Sequence, residues 1–280
     1  MIPGIIPFVI HSLILLQALH QAKALHRKLI PTNEHQDTHL RLPENGDRRD
    51  SGRPLDPELN VFFHYNTLKP GTRIAVYYQT NNPSTTPRLL PREEADSIPF
   101  TSTKLPDLLR LFGFPAGSKQ AVAMKSTLHH CEHPALRGET KFCATSLESM
   151  LDSVQAIFGK NSRFRVLTTN RLSGPLPPLQ NYTVSEQPNE IRAAKMLGCH
   201  KLPYPYAVFY CHGQAGDRKL YRVLLDGDSG GRVDAVAICH MDTSQWDPDH
   251  VAFEVMRSSP GESPVCHFFP PDNLVWIAGP

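Results

Sequence analysis

No segment of this 280-residue chain carries about 18 consecutive apolar residues, the length a membrane-spanning helix needs. The expectation is a mature chain with no membrane span. Charge of one sign is also missing. Lys and Arg number 29 against 27 Asp and Glu, a net charge of +2. That balance excludes a nucleic-acid partner held on a basic face. Low hydrophobicity is absent too. With 40% hydrophobic and 20% charged residues, disorder of the whole chain is excluded. Proline outnumbers glycine, 26 to 17, and so many helix-interrupting residues exclude an all-helical bundle. Residues 25–60 hold no Phe, Tyr, Trp or Cys, while carrying six Lys/Arg and seven Asp/Glu. Such a stretch cannot bury enough apolar surface to offset its ordering entropy, so a mobile leader without internal repeats is expected there.

What precedes the leader sets the compartment. Ile5 to Leu16 is apolar except for Pro7, His11 and Ser12, and Ala22-Lys23-Ala24 follows it. An apolar core ahead of a small-x-small triplet predicts a signal peptide over residues 1–24. The chain is then expected in the secretory pathway, outside the cell or in the wall, with the vacuole as the alternative. In an oxidising lumen its six cysteines should pair. Asn181-Tyr182-Thr183 is a glycosylation sequon, with Asn181 as the acceptor.

The folded part is expected over residues 61–279. Phe62-Phe63 and Thr72 to Tyr78 read as strands around a Lys69-Pro70-Gly71 turn. Leu105 to Phe112, Ser118 to Leu128 and Leu147 to Phe158 read as helices. The last has Thr145 and Glu148 at capping-box spacing and Gly159 at its stop. Then the pattern changes. Arg163 to Thr169, Ala207 to Cys211, Leu220 to Leu225, Val233 to Cys239, Val251 to Val255, Val265 to Phe269 and Leu274 to Ile277 read as strands rich in Val, Tyr, Phe and Ile. The predicted class is α+β: short helices, then a β-rich antiparallel C-terminal half, disulfide-stabilised and sharing one core.

Four of the six cysteines are each followed by histidine: Cys199-His200, Cys211-His212, Cys239-His240 and Cys266-His267. The gaps are 10, 26 and 25 residues, and eight more lead to Trp276. Zinc-finger spacing is absent. Adjacent strand residues point to opposite faces, so a Cys and its neighbouring His would not share one tetrahedral ion. If the dipeptides lie in strands, the sulfurs face one way and pair as two disulfides, while the imidazoles converge elsewhere. An imidazole site with oxygen or water ligands suits Cu(II), Ni(II) or Zn(II), and the affinity order favours copper. The competing reading makes each His a polar residue packed beside a structural cysteine. Cys131 and Cys143 flank Pro134 and Gly138 and are expected to close a small loop as a third disulfide.

This array, ending at Trp276, resembles the signature of the plant BURP-domain family. The resemblance extends to Phe62-Phe63 with Leu68-Lys69-Pro70-Gly71, to Cys131-Glu132, and to the block Lys141 to Met150. It continues through Asp242-Thr243-Ser244, Trp246, Pro248, His250 and Ala252-Phe253, then Pro260-Gly261 and Pro264 to Phe268. Some members of that family are copper-dependent peptide cyclases that cross-link a Tyr or Trp side chain, often on the same chain. The resemblance implies copper as cofactor, His200, His212, His240 and His267 as its ligands, and disulfide-bonded cysteines. A leader without Tyr or Trp departs from the self-modifying members. It resembles instead the short-leader members related to the unknown seed protein. Two functions follow: a non-catalytic wall or vacuole protein of development or stress response, with no catalytic residue of its own, or a copper-dependent cyclase acting on a peptide in trans. The partner is accordingly a cell-wall component or such a peptide.

Three further patterns have plainer readings. Gly227-Asp228-Ser229-Gly230-Gly231 matches the text around a trypsin-like nucleophile, but no base is placed for it, and it reads as a turn between strands. His129, His130 and His133 read as a solvated helix end. Asp247, Asp249 and His250 read as a loop stabilised by side-chain hydrogen bonds.

Overall fold

The computed structural model describes residues 60–78, 86–135, 138–214 and 216–279. The expected signal peptide at 1–24 and the leader through residue 59 lie outside the described residues.

Five helices and thirteen strands make up the described chain, beside two 3-10 turns. The helices are α1 (Arg92–Asp96), α2 (Leu105–Phe112), α3 (Lys119–Glu132), α4 (Leu147–Phe158) and α5 (Val251–Met256). The early strands are β1 (Phe62–His64), β2 (Arg73–Tyr77), β3 (Glu139–Ala144), β4 (Phe164–Leu167), β5 (Asn170–Ser173), β6 (Leu179–Val184) and β7 (Asn189–Ile191). The late strands are β8 (Lys195–Leu202), β9 (Val208–Gln214), β10 (Arg218–Gly227), β11 (Arg232–His240), β12 (Val265–Phe269) and β13 (Leu274–Ala278).

Local chemistry explains the helix boundaries. Gly113 ends α2 in the left-handed region at φ 71°, where a Cβ is unfavourable. Ser118 caps α3 by accepting the Ala121 N–H at 3.1 Å. The cap of α4 is Ser146, one residue beyond the predicted Thr145. Its hydroxyl accepts the Ser149 N–H at 3.1 Å, and the Ser149 hydroxyl accepts the Ser146 N–H at 3.2 Å. A serine at the third helical position thus completes the box in place of an acid. Met150, Val154 and Phe158 then fall on one buried stripe.

One predicted strand is a helix. Val251 to Val255 coils because His250 caps it, its Nδ1 accepting the Ala252 N–H at 3.2 Å. Ala252, Phe253 and Met256 share the buried face, and that spacing is helical. The β-branched valines at either end suggested a strand, but packing against Val265, Phe62 and Trp246 overrides propensity. The reading of the sequence also passed over β3, β6 and β8, whose Gly, Lys, Asn and Gln residues dilute the apolar alternation.

The strands form two sheets, and every pair of named strands is antiparallel. The first runs β1-β12-β11-β10-β6-β2, with β5 on β11 and β7 on β10. The second runs β3-β9-β8-β13-β4. The Gly227–Gly231 segment turns β10 into β11, with the Gly227 N–H on the Gly231 carbonyl at 2.7 Å.

The apolar residues pack in several layers, two of which join the helices of the first half to the strands of the second. Leu220, Val236, Ile238 and Phe269 of the first sheet meet Met196, Val275 and Ile277 of the second. On the far side of the first sheet, Tyr182, Tyr221, Val223, Leu225, Val233 and Phe268 pack with β2 residues Ile74 and Val76. On the far side of the second, α4 packs on Leu197, Phe209 and Trp276. Helices α2 and α3 pack against Tyr204, Tyr206 and Val208. The strands carrying the dipeptides, β8, β9, β11 and β12, are therefore covered on both faces, which is what lets adjacent Cys and His residues both lie inside.

Candidate metal centre

The strand period sorts the dipeptides. Cys239 and Cys266 lie on the far side of the first sheet, in the cluster of Ala235, Ala237 and Phe268. Cys199 and Cys211 lie on the far side of the second, under α4. Each pair occupies directly opposed positions, Cys239 with Cys266 across β11–β12 and Cys199 with Cys211 across β8–β9. Both pairs are disulfide-bonded, and Cys131–Cys143 ties α3 to β3 as the third bridge. No described cysteine is free.

The histidines point the other way, into the gap between the sheets. His200 and His212 have ring centroids 5.4 Å apart, His200 and His267 5.6 Å, and His267 and His240 5.7 Å. Four imidazoles contributed by both sheets thus form one continuous row. Phe269 supports it, with its ring 4.9 Å from His200 and 4.8 Å from His267. Gly198 makes room for that ring: a Cβ there would lie 2.9 Å from a Phe269 ring carbon.

Burial sets the charge of three of the four rings. His200 and His267 are held well below the usual imidazole range by desolvation first, then by neighbouring histidines. His240 is lowered to about 3 for the same leading reason, with His212 and Arg218 adding to it. These rings are neutral at physiological pH, the form in which an imidazole ligates metal. His240 Nδ1 is buried without a hydrogen-bond partner. One buried imidazole nitrogen without a partner is a position a borderline cation could satisfy.

A cavity of about 10 Å³ opens on the row, lined by His212, His240, His267, Gln214, Arg218 and Phe269 among others. That is room for one water-sized particle. Among the described residues, no three His, Cys, Asp or Glu side chains already gather their donor atoms around one metal position. Imidazole nitrogens are a donor type that suits copper, and holding one ion would require the side chains of the row to rearrange.

The hydrogen bonds around the row differ from ring to ring. His212 Nδ1 lies 3.2 Å from Glu139 Oε1. His200 Nδ1 lies 3.2 Å from the Asn273 amide nitrogen. The Asn273 oxygen is committed to the Lys201 N–H at 3.1 Å, so its NH₂ faces His200. His200 Nδ1 is therefore an acceptor, and its proton sits on Nε2.

Residues outside the dipeptides complete the surroundings. Trp246 packs 4.9 Å from His240, and its indole N–H donates to Gln214 Oε1 at 3.1 Å. His250 lies 4.7 Å from Trp246, so the loop expected around Asp247 and Asp249 also flanks the site. That loop is held as expected, the Asp249 N–H donating to Asp247 Oδ1 at 2.9 Å. His130 corrects the solvated reading. It is half-buried against Tyr210, at 4.2 Å, and burial lowers it to about 4, whereas His129 and His133 are exposed. Glu139, Asn273, Tyr210 and Phe269 carried no sequence signal, because their roles arise from strand pairing across long separations.

An α+β protein of paired antiparallel sheets, stapled by disulfides on both outer faces and lined with imidazoles between them, is the class this architecture defines. The chain belongs to the BURP domain family, whose sequence profile matches residues 61–278. It is 48% identical over 227 residues to the BURP domain protein USPL1 of Arabidopsis thaliana, covering 79% of this chain and 81% of that one. It is 44% identical over 261 residues to the BURP domain-containing protein BNM2C of Brassica napus, covering 90% of each. The BURP domain protein RD22 of Arabidopsis thaliana is 39% identical over 225 residues, 80% of this chain and 57% of that one.

Proposed function

We propose that this plant BURP-domain protein is secreted and binds copper through His200, His212, His240 and His267, acting in the cell wall or vacuole by binding rather than turnover. The observation that supports this reading is the row of imidazoles between the sheets, opening on a cavity sized for one ion. A purely structural role would need only the cysteines, whose disulfides lie on the opposite faces. Bound copper would supply a one-electron redox centre. The chain's own residues desolvate it, supply nitrogen donors and limit what else enters. Residues 25–60 hold no Tyr or Trp to be cross-linked, which favours binding over turnover on the chain's own leader. Asn181 is exposed on β6, as an N-linked glycan requires.

The test is copper stoichiometry and electron paramagnetic resonance of the disulfide-intact protein, beside a His240→Ala, His267→Ala double variant. Nitrogen-coordinated Cu(II) in the parent and its loss in the variant are expected. Absence of copper uptake by the parent overturns the reading. The alternative, a copper-dependent cyclase acting in trans, is decided in the same preparation. A Tyr- or Trp-containing peptide that loses two hydrogens on incubation with copper and oxygen would establish turnover.

A further inference from the structure

The row of histidines has an asymmetric second layer, and Glu139 is its most specific member. Glu139 opens β3, at the edge of the second sheet, and pairs with Gln214; Lys141 pairs with His212. The Glu139 carboxylate thus lies diagonally across the ladder from His212. Its side chain is only 10% exposed. One oxygen, Oε1, receives two donors, the Tyr210 hydroxyl at 3.0 Å and His212 Nδ1 at 3.2 Å. A carboxylate has no proton to give, so the Tyr210 hydroxyl is the donor of that pair. With a carboxylate as acceptor, the single proton of a neutral His212 belongs on Nδ1, and Nε2 keeps its lone pair. The neighbouring ring has the reverse arrangement, because Asn273 donates to His200 Nδ1.

We propose that Glu139 is the positioning residue of His212. It holds the proton on Nδ1 and leaves Nε2 as the donor nitrogen on the cavity side of the sheet pair. Tyr210 is the phenol that steadies the carboxylate by sharing its oxygen. A carboxylate behind a ligating imidazole fixes its tautomer and strengthens its donation, and losing such a partner weakens metal binding by about 10–100-fold. The metal-binding half of this inference rests on the copper reading above; the tautomer half does not.

Long-range proton–nitrogen correlation spectra of the ¹⁵N-labelled, copper-free protein read each tautomer directly. His212 is expected as the Nδ1–H form and His200 as the Nε2–H form. Glu139→Gln should abolish the Nδ1–H preference of His212 and weaken Cu(II) binding by about 10–100-fold, with a changed resonance spectrum. Tyr210→Phe removes only the second donor and should leave the His212 tautomer in place. Glu139→Asp restores the charge and should recover part of the affinity. His212 found as Nε2–H in the parent overturns the proposal. So does unchanged copper affinity in a Glu139→Gln protein with all three disulfides formed. If the parent takes up no copper yet shows His212 as Nδ1–H, the copper reading fails and the positioning role of Glu139 stands.

Discussion

At the scale of single residues, the site depends on contacts that a one-atom change disturbs. Gly198 and Phe269 are the sharpest case. The ring that supports His200 and His267 occupies the space a Cβ at 198 would need, 2.9 Å from its nearest carbon. Gly198→Ala is therefore overpacking in a buried layer and should cost about 1–3 kcal/mol. Urea denaturation measures it, and a midpoint equal to the parent's would show that the ring moves aside freely. Asn273 acts by hydrogen bonding instead. Its amide joins the Lys201 backbone to His200, so Asn273→Ala leaves two polar groups unpaired inside the molecule. A loss of about 1–3 kcal/mol is expected, larger than the loss for an exposed asparagine such as Asn170.

At the scale of elements, caps and bridges hold the strands that carry the histidines. Ser146 is fully buried and makes both halves of the α4 capping box. Ser146→Ala should destabilise by about 1 kcal/mol, read as a lowered thermal midpoint, with Thr145→Ala much milder. The disulfides close loops with separations of 12, 12 and 27 residues, and the entropy term grows only slowly with that length. Chain entropy alone then predicts about 3 kcal/mol for the shorter loops and about 3.5 kcal/mol for the longer. Position separates them better than loop length. Replacing Cys239 and Cys266 together by Ala alters the strand pair that carries His240 and His267, so it should weaken copper binding as well as stability. An affinity equal to the parent's in that variant would show that strand pairing alone sets the histidines. Helix α5 shows why periodicity failed at one element: two terminal valines read as strand, while the buried Ala252, Phe253 and Met256 and the His250 cap select a helix.

At the scale of the whole molecule, the gap between the sheets makes stability depend on pH. His240 is lowered from 6.5 to about 3, and His200 and His267 are also held well below the usual imidazole range by burial. Below about pH 6.5 the unfolded chain binds protons that the native rings refuse. Stability is therefore full above that pH and lost on acidification. His240 by itself should remove about 2 kcal/mol between pH 7 and pH 5. Thermal midpoints of the copper-free protein across that range test the sign, and a midpoint that rises towards pH 5 would contradict it. His240→Gln should flatten the profile. Surface ion pairs such as Arg73–Asp228 and Arg92–Asp152 are exposed at both ends, so high salt should change the midpoint little.

Much of this molecule was legible in the order of its residues. The β10–β11 hairpin followed from two apolar runs around a Gly-rich turn, and helix α4 from its apolar stripe and glycine stop. The alternation of Cys and His was itself decisive, because strand geometry sends neighbours to opposite faces whatever the fold. What the sequence by itself determined was therefore local: the class of structure, the separation of sulfur from imidazole, and the family signature. Only the tertiary structure decided that β8 and β9 face β11 and β12, which turns four separate histidines into one row. It alone placed Glu139 behind His212 and Asn273 behind His200, partners 73 residues away in each case. Such pairings depend on which strands become neighbours, and that is settled by burial of apolar faces across the whole chain rather than by any local pattern.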